Sequence, residues 1–198
     1  MRNLETILKM QTVEEIHNFV KLQIFENTNV KTSKFNIFNY CGKKDFLRPS
    51  LSGVFHDKGQ RVATDAHQMV IIKCDYPQEY EGKIIDKDGK EIGAKFPDFE
   101  AVLPKLNGEL IEISINIEEI KSQFKQYKAF KKIDKIGKNP HLKFNLNDTY
   151  FSIELLFEKA LPFLEYSSGN VYLTGHENPQ LYIINSNGDK YLQMPLCK

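Results

Sequence analysis

Residues 48–72, RPSLSGVFHDKGQRVATDAHQMVII, organise the rest of this 198-residue chain. Two β-rich runs flank an Asp-Lys-Gly turn at residues 57–59, and such a turn between two runs of this kind predicts a β-hairpin. We expect the first strand over about residues 51–55 and the second through residues 61–62. The stretch therefore predicts antiparallel pairing early in the fold.

A polar corner at residues 63–67 follows the hairpin. Thr64 and Asp65 have side chains that can bond nearby backbone groups and fix a tight turn. The apolar run that begins at Met69 then returns to the core. We therefore expect the corner to present His67 and Met69 at the mouth of whatever lies beside it.

The composition is ordinary for a soluble globular protein, with 41% hydrophobic and 27% charged residues. Because the net charge is only +1, any contact with nucleic acid must come from local clustering of cations. The central apolar runs fall far short of the roughly 20 residues of a membrane span. The first ten residues lack the apolar core of a signal peptide. These features predict a cytoplasmic protein without membrane contact.

The three cysteines, Cys41, Cys74 and Cys197, are odd in number and widely spaced. This pattern favours reduced thiols in a cytoplasmic protein, most simply as small hydrophobic side chains. No Cys-x-x-Cys pair and no close cluster of His and Cys accompanies them. We therefore expect no structural metal site and no cofactor.

Local patterns predict further elements in the first half of the chain. Apolar spacing predicts helical structure over residues 3–25, whereas the apolar residues 35–38 fit a strand or a helix equally well. An Asp-Gly pair at residues 88–89 predicts a second hairpin, between residues 83–86 and 90–94.

Pro97 and Pro104 bracket an extended segment, because neither fits a central strand or a helix interior. Four apolar residues of this segment need burial, so we expect it to cross between two domains. They are Phe96, Phe99, Val102 and Leu103.

The second half contains an amphipathic helix. Residues 109–115 alternate like a strand, and Asn116 can cap a helix that begins at Ile117. Apolar residues then recur at helical spacing, and lysines line a neighbouring face. The apolar stripe is Ile117, Ile120, Phe124 and Tyr127, and the basic face is Lys121, Lys125, Lys128 and Lys132.

The remaining pattern predicts short strands, a second helix and a closing group of strands. Pro162 should end or kink that helix, and an Asn-Gly pair at residues 187–188 should join the last two strands. The predicted strands are 142–146, 150–153, 171–174, 181–185 and 190–194, and the predicted helix is 153–164.

Four segments in order now resemble the bacterial DNA sliding clamps, the β clamp of the replicative polymerase. Residues 48–54 and then 62–67 look like the clamp's R-P-x-L-x-G-v … v-A-T-D-G-H-R-L. Residues 96–105, FPDFEAVLPK, are similar to its interdomain F-P-D-Y-x-x-V-x-P-K. The ending YLQMPL at 191–196 looks like Y-v-v-M-P-M, and the helix and strand of the second half suit the clamp's last domain.

The resemblance implies an α+β DNA-clamp fold with antiparallel sheets backed by helices. A clamp subunit has three domains and pairs into a six-domain ring, and 198 residues are too few for three. We therefore expect a shortened relative, with a clamp-like domain over residues 1–105 that carries an extra N-terminal helical segment and a clamp-like C-terminal domain over residues 106–198. Two domains per chain would require a trimer to complete such a ring.

The resemblance also implies a pocket where a peptide motif of a polymerase or repair protein docks. Gln68 and Ala101 stand where the clamp pattern has arginines. The alternative is that the matching residues simply pack a domain junction. The matching positions are Leu51, Thr64, Ala66, His67, Met69, Pro97, Val102, Leu192, Met194, Pro195 and Leu196.

In the clamps, helices line the central hole and touch DNA phosphates without reading bases. The resemblance therefore implies that Lys121, Lys125, Lys128 and Lys132 contact double-stranded DNA without sequence specificity. The alternative is a solvated lysine face. The chain as a whole is then either a replication or repair accessory protein, or a clamp-derived interaction module without ring closure.

An enzyme is a third interpretation. Asp65 and His67 can be drawn as a dyad on one strand face, with Cys74 as the nucleophile. No nucleophile motif, metal-ligand spacing or Gly-rich phosphate loop accompanies them. We therefore expect a protein without catalytic activity, in which His67 is a structural or groove residue.

Overall fold

The computed structural model describes residues 35–43, 47–104, 110–133, 143–175 and 178–196, without the side chains of residues 130–133. The helix predicted over residues 3–25 and the thiol of Cys197 lie outside the described residues. The described residues all belong to one compact unit.

The strands and helices of the described part follow the predicted order. The strands are β1 (Val54–Asp57), β2 (Gln60–Thr64), β3 (Gln68–Lys73), β4 (Ile84–Ile85), β5 (Glu91–Ile92), β6 (Leu110–Glu112), β7 (Lys143–Leu146), β8 (Thr149–Ser152), β9 (Asn170–Thr174), β10 (Leu181–Ile184) and β11 (Lys190–Gln193). Helix α1 is Ile117–Ile133. Helix α2 is α-helical over Ile153–Leu155, π-helical over Leu156–Ala160 and α-helical over Leu161–Ser167.

In the described part of the chain, one antiparallel sheet of nine strands joins the two halves. Its order is β5-β4-β1-β2-β3-β11-β10-β9-β6, and β7 and β8 form a separate pair. The halves meet where β3 pairs with β11, with Met69 opposite Leu192 and Val70 opposite Tyr191. The expected α+β fold with antiparallel sheets is confirmed. The division into domains at residue 105 stays a prediction.

The first hairpin forms around the predicted Asp-Lys-Gly turn. Asp57 pairs with Gln60, so Lys58 and Gly59 make a two-residue loop. Both loop residues have positive φ, 49° and 72°, as the turn type that matches the twist of two paired strands requires.

The first strand begins later than predicted, at Val54 rather than near Leu51. Pro49 starts a 3₁₀ turn over Pro49–Ser52, and the Ser52 hydroxyl donates to the Pro49 carbonyl at 2.7 Å. Gly53 follows at a close approach of two strands. A Cβ on Gly53 would lie 2.8 Å from the carbonyl oxygen of Ile85, which explains why a residue without a side chain stands here.

The central strands are buried on both faces, which explains the unbroken apolar run that follows residue 68. Along β3, Val70 and Ile72 face a core formed with both helices, while Met69 and Ile71 face a second core on the opposite side. Side chains alternate between the two faces of a strand, so four consecutive apolar residues serve two cores.

The proline-containing segment at residues 96–104 packs against the second core. Phe96 stacks on Phe55 with ring centroids 4.8 Å apart, and Phe99 is also buried. The prediction that Val102 is buried is wrong: its side chain is 43% exposed. A short 3₁₀ turn over Glu100–Val102 turns it outward, away from the two aromatic rings.

Helix α1 begins at the predicted residue. The Asn116 side-chain oxygen accepts the backbone N–H of Glu119 at 3.1 Å, as an N-cap does. Ile120, Phe124 and Tyr127 are buried, and the Phe124 ring stacks on that of Phe157 in α2 at 4.0 Å. The apolar stripe of the helix is therefore confirmed.

The prediction that the second helix stops at residue 164 is wrong, because α2 passes through Pro162 and continues to Ser167. A proline has no N–H to donate, and its ring crowds the carbonyl four residues earlier. The π-helical turn directly before it widens the helix, with the Leu161 N–H donating to the Leu156 carbonyl.

Two smaller predictions also change. The strand expected over 109–115 is reduced to Leu110–Glu112 in the described residues, although the Ile113 N–H still donates to the Val171 carbonyl at 2.9 Å. The ambiguous stretch at 35–38 leads into a 3₁₀ turn, Ile37–Tyr40.

Candidate functional site

The polar corner between β2 and β3 is held by its own side chains. The Thr64 hydroxyl donates to the Gln68 carbonyl at 2.6 Å and accepts the Ala66 N–H at 3.1 Å. The Asp65 Oδ1 accepts the backbone N–H groups of His67 and Gln68 at 2.9 and 3.0 Å. The predicted role of Thr64 and Asp65 as turn-forming residues is confirmed.

An apolar pocket lies beside this corner, on the face of the sheet opposite the helices. Its volume is about 340 Å³. Four stretches far apart in the sequence form its walls: the 3₁₀ turn before β1, the corner with the start of β3, the proline-bracketed segment, and the end of β11. The lining residues are Arg48, Ser50, Leu51, Thr64, Ala66, Gln68, Met69, Pro97, Asp98, Phe99, Val102, Leu192 and Met194.

Most of the predicted pocket residues meet in this cavity. Those that line it are Leu51, Thr64, Ala66, Met69, Pro97, Val102, Leu192 and Met194. His67 is exposed and does not line it, although the His67 carbonyl accepts the Met194 N–H at 2.9 Å. Pro195 and Leu196 line a separate cavity of about 190 Å³, together with Tyr150.

Five lining residues were not predicted: Arg48, Ser50, Gln68, Asp98 and Phe99. Each stands within the same motifs that supplied the predicted residues, so proximity in sequence was the available signal. Asp98 also supports the wall, because its Oδ1 accepts the Ala101 N–H at 3.2 Å.

Gln68 contributes an uncharged amide beside the corner, and this amide is bonded within the protein. Its Nε2 donates to the Asp65 Oδ2 at 3.1 Å, and its Oε1 accepts the Tyr191 hydroxyl at 3.1 Å. Burial raises the pKa of Tyr191 well above its ordinary value, so that hydroxyl stays protonated. A neutral amide therefore stands where the clamp pattern has an arginine, and both ends of this amide are bonded within the protein.

The lysines of helix α1 lie away from its buried stripe. Lys121, Lys125 and Lys128 are exposed, and the side chain of Lys132 lies outside the described residues. Lys121 Nζ lies 2.9 Å from Glu118 Oε1, and Lys128 Nζ lies 4.7 Å from the centre of the Phe124 ring. Two of the three described lysines therefore already have partners on their own helix.

The structure does not arrange Asp65, His67 and Cys74 as the catalytic interpretation requires. Asp65 and His67 do not share a strand face, because both lie in the corner between β2 and β3. The Asp65 carboxylate bonds backbone groups and Gln68, and its bond to His67 is to the backbone N–H. Burial raises the pKa of the Cys74 thiol, which disfavours the thiolate that a nucleophile needs.

Among the described residues, no three His, Cys, Asp or Glu side chains come together as metal ligands would. Within the same part of the chain, no helix is both long and apolar enough to cross a bilayer.

The fold is similar to a solved structure of DNA polymerase III subunit beta from Borrelia burgdorferi, in complex with a natural product. The likeness has a TM-score of 0.54 at 14% sequence identity and covers 81% of this chain. This chain spans 61% of that subunit's length. No family model matches the chain, and no curated protein matches it. The likeness shows a clamp-like fold.

Proposed function

We propose that this chain, which has a clamp-like fold, is an accessory protein of DNA replication or repair that docks peptide motifs of a polymerase or repair protein. The observation that carries the proposal is the apolar pocket. Eight residues from motifs that resemble those of sliding clamps line this one cavity. In this proposal, the chain tethers its partners and has no catalytic activity of its own.

The pocket has the chemistry of a docking site for an extended peptide. Its floor of Met69, Leu192 and Phe99 is apolar and buried, while Val102 and Ala66 at its rim are exposed. A volume of about 340 Å³ accommodates one or two apolar side chains. Each such side chain contributes about 1.5–3 kcal/mol when it is fully buried.

Selection of a displayed library of random nonapeptides on the intact chain tests the pocket. We expect enrichment of peptides with one or two large apolar residues, and binding is then measured by fluorescence polarisation. Val102→Asp should weaken binding about tenfold or more, because it places a carboxylate at the rim of an apolar cavity. Ile111→Asp is the matched control, since Ile111 is similarly exposed but lies on β6, outside the pocket. Equal losses in both variants would contradict docking in this pocket.

We propose that helix α1 contacts double-stranded DNA through its lysines. The exposure of Lys121, Lys125 and Lys128 on one helix supports this, as does the excess of seven lysines over one acidic residue in residues 121–138. Reversing these three lysines to Glu should abolish retention on DNA at low salt, because phosphate contacts dominate non-specific binding.

The control for this experiment reverses three exposed lysines of the β4–β5 region, Lys87, Lys90 and Lys95. Circular dichroism verifies that both triple variants fold. Retention that is equal in the wild type and both variants would refute DNA contact through α1.

A second candidate is a clamp-derived interaction module that docks a protein but does not encircle DNA. The partners that Lys121 and Lys128 already have on their own helix favour it. This candidate predicts peptide binding that is sensitive to Val102→Asp without any DNA retention.

A further inference from the structure

We propose that a second cavity beside the pocket is a carboxylate subsite, which takes an acidic side chain of the same peptide whose apolar residue fills the pocket. This inference rests on the proposed docking function and names the chemistry of the partner. The cavity has a volume of about 470 Å³. We name it the basic cavity, after Lys43, Arg48 and Lys159 in its lining.

The two cavities adjoin, since Arg48 and Leu51 line both of them. An extended peptide that leaves the apolar pocket on this side therefore enters the basic cavity. Successive side chains of an extended chain alternate in direction at about 3.3 Å per residue. A residue close to the apolar anchor in sequence can thus reach the second cavity.

The charge of the basic cavity fits an anion. Among the described residues that line it, three are cations and one, Asp65, is a carboxylate. Both Asp65 oxygens are already engaged by the corner and by Gln68, and these bonds orient the carboxylate toward its own turn. Burial, and secondarily Asp65, raises the pKa of the Cys41 thiol in this cavity to about 12. The thiol therefore adds no negative charge near neutral pH.

Lys159 is held in place before any ligand arrives. Its backbone carbonyl accepts the Tyr40 hydroxyl at 2.8 Å, and its ammonium donates to the Asn39 carbonyl. The ammonium also lies 5.6 Å from the centre of the Tyr40 ring. An ammonium has three N–H groups, so donors beyond the one that Asn39 uses are available to a carboxylate.

The position of Lys159 depends on the π-helical turn of α2. Lys159 lies within Leu156–Ala160, the turn that accommodates Pro162. A π-helical turn changes the direction of its side chains relative to a regular α-helix, and such turns are frequent at functional sites. The proline thus contributes to the basic cavity without lining it.

An acidic peptide is favoured over nucleic acid as the occupant because the basic cavity is continuous with an apolar pocket. A phosphate backbone would bring no apolar group to fill the pocket that Leu51 and Met69 line. A peptide can supply both an apolar side chain and a carboxylate a few residues apart.

The experiment extends the nonapeptide selection with defined probes. For an enriched peptide with Asp or Glu near its apolar anchor, the matched probe replaces the acid by Asn or Gln, and both carry an amidated C-terminus. The acidic probe should bind the intact chain about 3- to 10-fold more tightly, between the effects of an exposed ion pair and a charge-assisted hydrogen bond. The preference should shrink in 0.5 M NaCl, because salt screens exposed charges.

The double variant Lys43→Gln, Lys159→Gln should lose most of this preference while it keeps the affinity for the amide probe. Lys87→Gln, Lys90→Gln is the control, because these exposed lysines lie on the β4–β5 turn. Loss of the preference in the double variant alone supports the subsite.

Three outcomes would overturn the proposal, and they separate it from the docking function. Enrichment of apolar residues without acidic ones removes the subsite and leaves the docking function. Selection that yields no apolar enrichment overturns both. Displacement of the acidic probe by an oligonucleotide of any sequence assigns the basic cavity to a different ligand.

Discussion

At the scale of the residue, Ala66 occupies a backbone conformation that suits glycine. Its φ is 74°, where a side chain with a Cβ is strained by about 1–2 kcal/mol. Ala66→Gly should therefore raise the free energy of unfolding by about 1 kcal/mol, after the entropic cost of glycine is included. Urea denaturation measures this change in the free energy of unfolding. Ala101→Gly, in an exposed 3₁₀ turn outside the positive-φ region, is the control and should not stabilise the protein.

His56 should make stability depend on pH. It is 4% exposed and lies against the rings of Tyr76 and Tyr80, and burial, followed by the charge of Arg61, lowers its pKa. A lowered histidine pKa means that the unfolded chain binds the proton more readily. The contribution of His56 is thus present above the unfolded pKa of about 6.5 and is lost as pH falls below it.

We expect the free energy of unfolding to fall less between pH 7.5 and pH 5.5 in His56→Phe than in the wild type. Urea denaturation at the two pH values measures the difference. His67→Gln provides the comparison, because His67 is exposed on the corner. If the free energy of unfolding falls by the same amount in His56→Phe as in the wild type, the pH dependence does not come from this buried imidazole.

At the scale of the element, helix α1 depends on its cap. The Asn116 side chain satisfies the Glu119 N–H, which has no partner within the helix. Asn116→Ala should therefore lower the free energy of unfolding by about 1 kcal/mol. Asn116→Ser should retain most of the stability that the cap contributes. Thermal denaturation of both variants measures the effect. Equal stability of the alanine and serine variants would show that the cap does not stabilise α1.

At the scale of the whole molecule, the two edges of the sheet bear on oligomeric state. Within the described residues, strands β5 and β6 each pair on one side only, and Ile111 on β6 is 49% exposed. Unpaired strand edges are surfaces on which another chain can add. If six clamp-like domains form a ring, light scattering over a concentration series should give a stable mass of three 23.0 kDa chains. A stable mass of one chain would contradict the ring and favour the interaction module.

Much of the local structure was predictable because its causes lie within a few residues of one another. The Lys58-Gly59 hairpin, the Asn116 cap and the turn at Asp65 each depend on side-chain chemistry and backbone freedom at neighbouring positions. The alternation of strands and the stripe of α1 follow from the same local periodicity. The motif segments also named eight of the residues that line the pocket.

The sequence by itself thus determined the hairpins, the cap of α1 and the residue types available to the pocket. Only the tertiary structure decided that β3 pairs with β11, that the Gln68 amide bonds both Asp65 and Tyr191, and that Arg48 and Lys159 line one cavity. It also decided that α2 continues through Pro162. The reason is physical: these outcomes depend on contacts between residues far apart in the chain, and packing against the sheet can outweigh a local preference such as that of proline to end a helix.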